Sequence, residues 1–219
     1  MTQVMTEKIE KKPLFGKREK KIVKDALWDQ NPISIQILGI CSALAVTVQM
    51  KTTIVMCVSV ITVVGLSNMV ISSIRKLIPS EIRIIVEIAV IAALVIMADQ
   101  ILQAFLFDIS KQLSIFVGLI ITNCIVLGRA EGFAMSNPVF PSLIDGVSNS
   151  VGYSWILLTV SFFRELLGSG SLFGVKVVPH AFYEHGYQNM GIMVLAPGAF
   201  FVLGLIIWVQ RTLTLNKKN

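Results

Sequence analysis

Residues 119–131, LIITNCIVLGRAE, set an asparagine and a cysteine inside a run otherwise suited to face lipid. An earlier stretch, QILGICSALAVT at residues 36–47, repeats the device, with Cys41 standing where Cys124 stands later. The apolar spans that carry them, about 33–49 and 112–128, are the two shortest in the chain. At about 17 residues each they reach roughly 25 Å as helices, against a hydrocarbon core of about 30 Å. Both hold small or polar residues beside the thiol: Gly39 and Ser42 in one, Gly118, Thr122 and Asn123 in the other.

Working outward, four further spans read as membrane helices, about 53–74, 82–107, 143–167 and 191–211. The composition agrees: 54% of residues are hydrophobic and 15% charged, with a mean hydropathy of +0.76, against roughly 25% charged in a soluble domain. Prolines at 32, 79, 138 and 141 fit breaks before helices. The expected organisation is a basic tail over 1–32, a six-helix membrane domain over 33–213 and a short tail over 214–219. The basic N-terminus lacks the apolar stretch and cleavage site of a signal peptide. Its segment FGKREKKIVKDALWDQ can form an amphipathic helix with Ile22, Val23, Ala26 and Leu27 on one side, suited to an anionic lipid surface. A solvated orientation signal is the simpler alternative.

The net charge of +6 reads through topology and not through nucleic acid, because the basic residues cluster at helix ends. One side receives the tail lysines and arginines, Arg75, Lys76, Arg83, Arg129, Arg211, Lys217 and Lys218, while Lys51, Lys111 and Lys176 fall opposite and Arg164 lies inside span 5. Both termini are therefore expected in the cytoplasm. Three spans separate the two cysteine segments, so the first runs outward and the fourth inward. The reading is an all-α integral membrane fold, six transmembrane helices in a 3+3 inverted repeat with short or interrupted helices 1 and 4. Such interruptions at matching places in two halves point to a central site.

The two thiols admit three readings on this ground. Free cysteine packs as a small hydrophobe; a disulfide is disfavoured on the cytoplasmic half of a membrane; or the pair is half of a metal site whose other ligands come from a second subunit, since iron–sulfur clusters take four thiolates. Cys57 has no counterpart in the second half and is read as packing.

Other polar groups in the spans need a reason, since an acid at a helix centre costs about 2.5–3.5 kcal/mol on the insertion scale. Glu87 is near a helix end, within reach of water or of Arg83 one turn back. Asp99, in MADQ, is either a hydrogen-bonding post or part of an ion path. Asp145 opens the small, polar run DGVSNSVGYS and is either a helix N-cap or an oxygen ligand for a hard cation. Arg129 either adds charge near Cys124 or snorkels to the interface. His180 and His185 read as ordinary loop residues. Gly65, Ser67, Gly198, Ala199 and Gly204 read as helix-contact positions.

Four stretches carry a family resemblance: NPISIQILGICSALAVT (31–47), IRIIVEIAVIAALVIMADQ (82–100), ISKQLSIFVGLIITNCIVLGRAEGFAM (109–135) and RELLGSGSLFG (164–174). They resemble the D-subunit family of the bacterial Na+-translocating NADH:quinone oxidoreductases, over about 31–213. The basic extension before Trp28 is longer than that pattern. The related E-type chain of the Rnf ferredoxin:NAD oxidoreductase shares TNCIVxGRAE but carries proline after the first cysteine, where Ser42 and Ala43 stand here.

The resemblance implies one member of a six-subunit complex of the bacterial inner membrane, in lipid beside the A, B, C and F subunits. With the homologous E subunit, which supplies two more cysteines, it implies a shared intramembrane [2Fe–2S] cluster ligated here by Cys41 and Cys124. NADH, flavins and quinone are then used by other subunits, this one relays electrons across the membrane, and Na+ moves outward in the same cycle. The family pattern associates the Asp145-Gly146 pair with sodium entry, and Asp99 is the second candidate on that path. The alternatives are the Rnf branch, separable by its ferredoxin-reacting neighbour, and a stand-alone secondary transporter, which would be colourless when purified.

Overall fold

The apolar runs become helices, and the two thiol-bearing runs become broken ones. The computed structural model describes residues 22–23, 26–27, 30–79, 81–105, 118–173, 175–176 and 190–216. The tail before residue 22, Lys111, His180, His185 and residues 217–219 lie outside the described residues.

The first expected span, 33–49, is only partly helical. The chain turns irregularly through 30–39 and then forms α1 (Ile40–Val46), seven residues long. Gly39 starts it in the left-handed region at φ 80°, and an added Cβ would lie 2.6 Å from the Tyr153 ring. Both the backbone and the space demand glycine there. α2 (Met50–Ile74) and α3 (Arg83–Phe105) follow as long helices. The fourth span breaks at Thr122 and Asn123 and resumes as α4 (Cys124–Arg129), with the Asn123 side chain accepting from the Ile125 N–H. α4 runs into a π-turn (Ala130–Ala134).

α5 (Val139–Ser169) is 31 residues long, about 46 Å at helical rise, and exceeds the expected 143–167 at both ends. Gly170 closes it in a left-handed cap, its N–H donating to Leu166. A two-residue hairpin, β1 (Ser171–Leu172) against β2 (Val175–Lys176), is a departure from the all-α reading. The expected single span 191–211 is two pieces, α6 (Gly191–Val194) and α7 (Ala196–Asn216), parted at Leu195 in extended backbone. Pro197 sits in the first turn of α7, where its missing N–H costs no helical bond.

The protein is thus a mainly helical membrane chain. Among the described residues, seven α-helices form, and three are long and apolar enough to cross a membrane: Met50–Ile74, Arg83–Ile101 and Ala196–Thr214. α2 packs along α5 in the most extensive contact of the fold. Small residues let the backbones approach: a Cβ on Gly146 would meet the Val64 carbonyl at 3.0 Å, and one on Gly65 the Val147 side chain at 3.1 Å. The apolar window of α2 is 56% buried, whereas those of α3 and α7 are 17% buried. α2 is therefore central, and α3 and α7 show apolar faces outward. Gly198 and Ala199 are buried as expected, but a Cβ added at Gly204 would meet nothing among the described residues.

The described part of the N-terminal segment does not lie free on a surface. Ala26 is buried, and its carbonyl abuts Gly152 of α5 so closely that a Cβ there would sit 2.5 Å away. Asn31 adds a hydrogen bond from Nδ2 to the Gly152 carbonyl, 3.0 Å.

Candidate functional site

Cys124 opens α4 and Cys41 is the second residue of α1, so each thiol stands in the first turn of a short helix that follows a break. The breaks bring the two together. The Cys124 thiol is an electrostatic neighbour of Cys41. Both thiols are exposed at the surface of the chain, whereas Cys57 is buried, its thiol 3.9 Å from the Ser154 carbonyl. Cys57 is packing, as its lack of a counterpart predicts.

Behind the thiols lies a buried polar knot. The Ser42 and Tyr153 hydroxyls are 2.5 Å apart, and Asn123 Nδ2 donates to Ser42 at 3.2 Å and to Tyr153 at 3.5 Å. Ser42 donates to the Gly39 carbonyl at 2.9 Å if Tyr153 donates to it. One knot thus ties α1, the break before α4, and the middle of α5. Three buried polar side chains satisfying one another favour a single arrangement of the two cysteine turns.

The far end of α1 is held by Arg164. This guanidinium, 1% exposed, donates from Nη1 to Thr47 Oγ1 (2.6 Å) and the Leu44 carbonyl (3.1 Å). Nε and Nη2 reach the carbonyls of Met193 (3.0 Å), Val194 (2.8 Å) and Leu195 (3.3 Å). A cation therefore closes the C-terminal ends of both α1 and α6, where orphan carbonyls and the helix dipole favour positive charge. The next residue does the opposite job: Glu165 Oε2 accepts from the Met50 N–H at 2.7 Å, at the N-terminus of α2.

Arg129 neither stands alone nor snorkels. It forks onto Asp145, Nε to Oδ2 at 2.8 Å and Nη2 to Oδ1 at 2.5 Å, with Asn149 Nδ2 donating to Oδ1 at 3.0 Å. Asp145 is not an N-cap, because α5 begins six residues earlier and Pro138 holds that position. The pair borders a cavity of about 290 Å³ lined by Gln30, Gln36, Arg129, Gly132, Asp145 and Asn149, among others.

Asp99 lies elsewhere, sixteen residues along α3 from Arg83 or about 24 Å at helical rise. Its Oδ2 accepts from Gln103 at 2.8 Å, while Oδ1 is buried without a partner. The structure does not bring Asp99 to Asp145. Arg83 is paired with Glu131 on the π-turn and not with Glu87. Glu87 reaches no water: it is fully buried.

Arg164 was readable as a charge inside a span that needs partners, although not which partners. Glu165 carries the same signal, whereas Tyr153 and Glu131 carry none, since their roles arise from neighbours distant in the chain. Among the described residues no group of three or more His, Cys, Asp or Glu comes together as a metal site.

The family model described as "Rnf-Nqr subunit, membrane protein" matches residues 19–207. The chain is similar to the D subunit of the Na(+)-translocating NADH-quinone reductase of Photobacterium profundum, 56% identical over 195 residues, which covers 89% of this chain and 93% of that one.

Proposed function

Because this chain belongs to the Rnf-Nqr family of membrane subunits, we propose that it serves as a D-type subunit of a Na+-translocating NADH:quinone reductase. Within that complex it holds half of an iron–sulfur site. The observation that carries the reading is the pair of exposed, adjacent thiols, each in the first turn of a short helix. The Rnf branch is less favoured because of the 56% identity to a D-type chain.

The donor set fits half of a [2Fe–2S] site. Such clusters are held by four thiolates, and Cys41 and Cys124 offer two at the surface of the chain, where a homologous E-type subunit adds its own pair. When bound, the group supplies one-electron transfer. The chain's part is to present and position ligands. The knot of Ser42, Asn123 and Tyr153 sets the spacing of the two turns.

The same reading takes the fold as six spans in a 3+3 inverted repeat, in the bacterial inner membrane with both termini cytoplasmic. In support, each half runs from a short thiol-bearing helix into a long one, α1 to α2 and α4 to α5. Asp145, beside the 290 Å³ cavity, then stands at the cytoplasmic mouth of the sodium path and Asp99 further along it. An arriving cation would compete with Arg129 for the Asp145 carboxylate.

The test is activity in the purified complex. Cys41→Ser or Cys124→Ser abolishes Na+-stimulated quinone reduction but leaves NADH oxidation with an artificial acceptor, and Cys57→Ser changes neither. Wild-type quinone reduction in both ligand variants would overturn the assignment.

A further inference from the structure

Glu87, on α3, is fully buried, and neither carboxylate oxygen has a hydrogen-bond donor. Glu131 of the π-turn lies beside it, since it pairs with Arg83 one turn back on α3, and its Oε2 is likewise buried without a donor. The other Glu131 oxygen is taken by Arg83. Arg83 and Glu131 are the charged groups that act on Glu87, and Arg129, the next cation along, is committed to Asp145.

Ionised carboxylates only accept hydrogen bonds. Three buried oxygens on two acids therefore meet without a hydrogen bond, and the neighbouring Arg83 Nε is itself buried with no acceptor. Arg83 offsets one of the two charges, and the second is left in an apolar interior, where an unpaired charge costs several kcal/mol. One bound cation cures both faults at once. Three oxygens are enough to hold a proton but fall short of the roughly six that hard metal ions gather.

We propose that Glu87 and Glu131 form a proton-binding site in which Glu87, as the acid, donates to Glu131 Oε2 while Glu131 stays ionised against Arg83. The site joins α3 to the π-turn that continues α4, and α4 begins at Cys124. Losing the proton sets two like charges in contact and loosens α3 from that turn. A π-turn, an interruption often found at functional sites, gives the joint room to move. The site stands apart from the cluster and from electron transfer, and rests on neither.

Infrared difference spectra of the intact complex, recorded on pH steps in Na+ and in K+ media, test this. The wild type is expected to lose, on alkalinisation, a protonated-carboxyl C=O band that shifts in D2O and is indifferent to the choice of Na+ or K+. Glu87→Gln lacks the band, its amide donating to Glu131 in the proton's place. Glu131→Gln lacks it too, since one remaining carboxylate is balanced by Arg83, and this second variant reads the site if the first does not assemble. A carboxyl band unchanged in the variants overturns the proposal. So does removal of the wild-type band by Na+ at fixed pH, which would put a metal ion between the acids.

Discussion

α1 and α4 begin alike, each after a break and each with a cysteine in its first turn, but different chemistry holds their far ends. α1 stops against one buried arginine that donates to backbone carbonyls and a threonine hydroxyl. α4 continues into a π-turn braced by side-chain ion pairs, Arg129 with Asp145 of α5 and Glu131 with Arg83 of α3. The first brace contains no carboxylate, so neither salt nor pH near neutrality should loosen it. The second depends on ion pairs, of which Arg83–Glu131 is partly open to solvent, with side-chain exposures of 38% and 35%, and that pair should respond to salt. Likeness in the thiols thus goes with unlike mechanical support.

The largest effect is expected from Arg164→Met, which keeps the bulk and strips the donors from five acceptors around α1 and α6. Each buried acceptor left without a donor costs about 1–3 kcal/mol, enough together to prevent recovery of the chain in the assembled complex. Arg164→Lys restores little, because an ammonium cannot span the fork. Full assembly of the Lys variant would break the contrast between the two braces.

Next in size is Asp145→Asn, which leaves Arg129 without its countercharge. With Arg129 16% exposed at its side chain, a loss of about 2 kcal/mol is expected, below the roughly 3–5 of a fully buried pair. A double-mutant cycle with Arg129→Met measures the coupling. If Asp145 also lies on the ion path, the Na+ concentration for half-maximal quinone reduction rises while iron content does not fall. An unchanged sodium dependence removes Asp145 from that path and leaves it a brace alone.

The smallest effect is Tyr153→Phe, about 1 kcal/mol from the lost hydroxyl. It acts on what the two thiol turns share, so its signature is an altered spectrum of the bound cluster and not a loss of assembly. An unaltered spectrum would show that the knot does not set the thiol spacing.

Much of this contrast was hidden in the sequence for a definite reason. Apolar runs and their proline breaks placed α2, α3 and the middle of α5, and the small residues around Cys41 and Cys124 foretold broken helices. Local periodicity fixes such things. The braces depend on contacts across the fold. Arg83 has Glu87 one turn away on its own helix but pairs with Glu131, a choice no spacing rule records. Arg164 and Glu165 are neighbours in sequence whose partners, Leu44 and Met50 among them, are more than a hundred residues away. A start of α5 near residue 143 admits a cap role for Asp145 beside the ligand role, whereas the helix begins at Val139 with Pro138 at its N-cap.

On the proposed function, Cys41 and Cys124 jointly ligate half of one cluster. Its most direct test is iron and acid-labile sulfide analysis of the intact complex, with electron paramagnetic resonance after reduction. Cys41→Ser and Cys124→Ser are each expected to remove one and the same [2Fe–2S] signal, with matching loss of iron and sulfide, while Cys57→Ser keeps it. Retention of that signal in either ligand variant, with wild-type iron and sulfide, would contradict it.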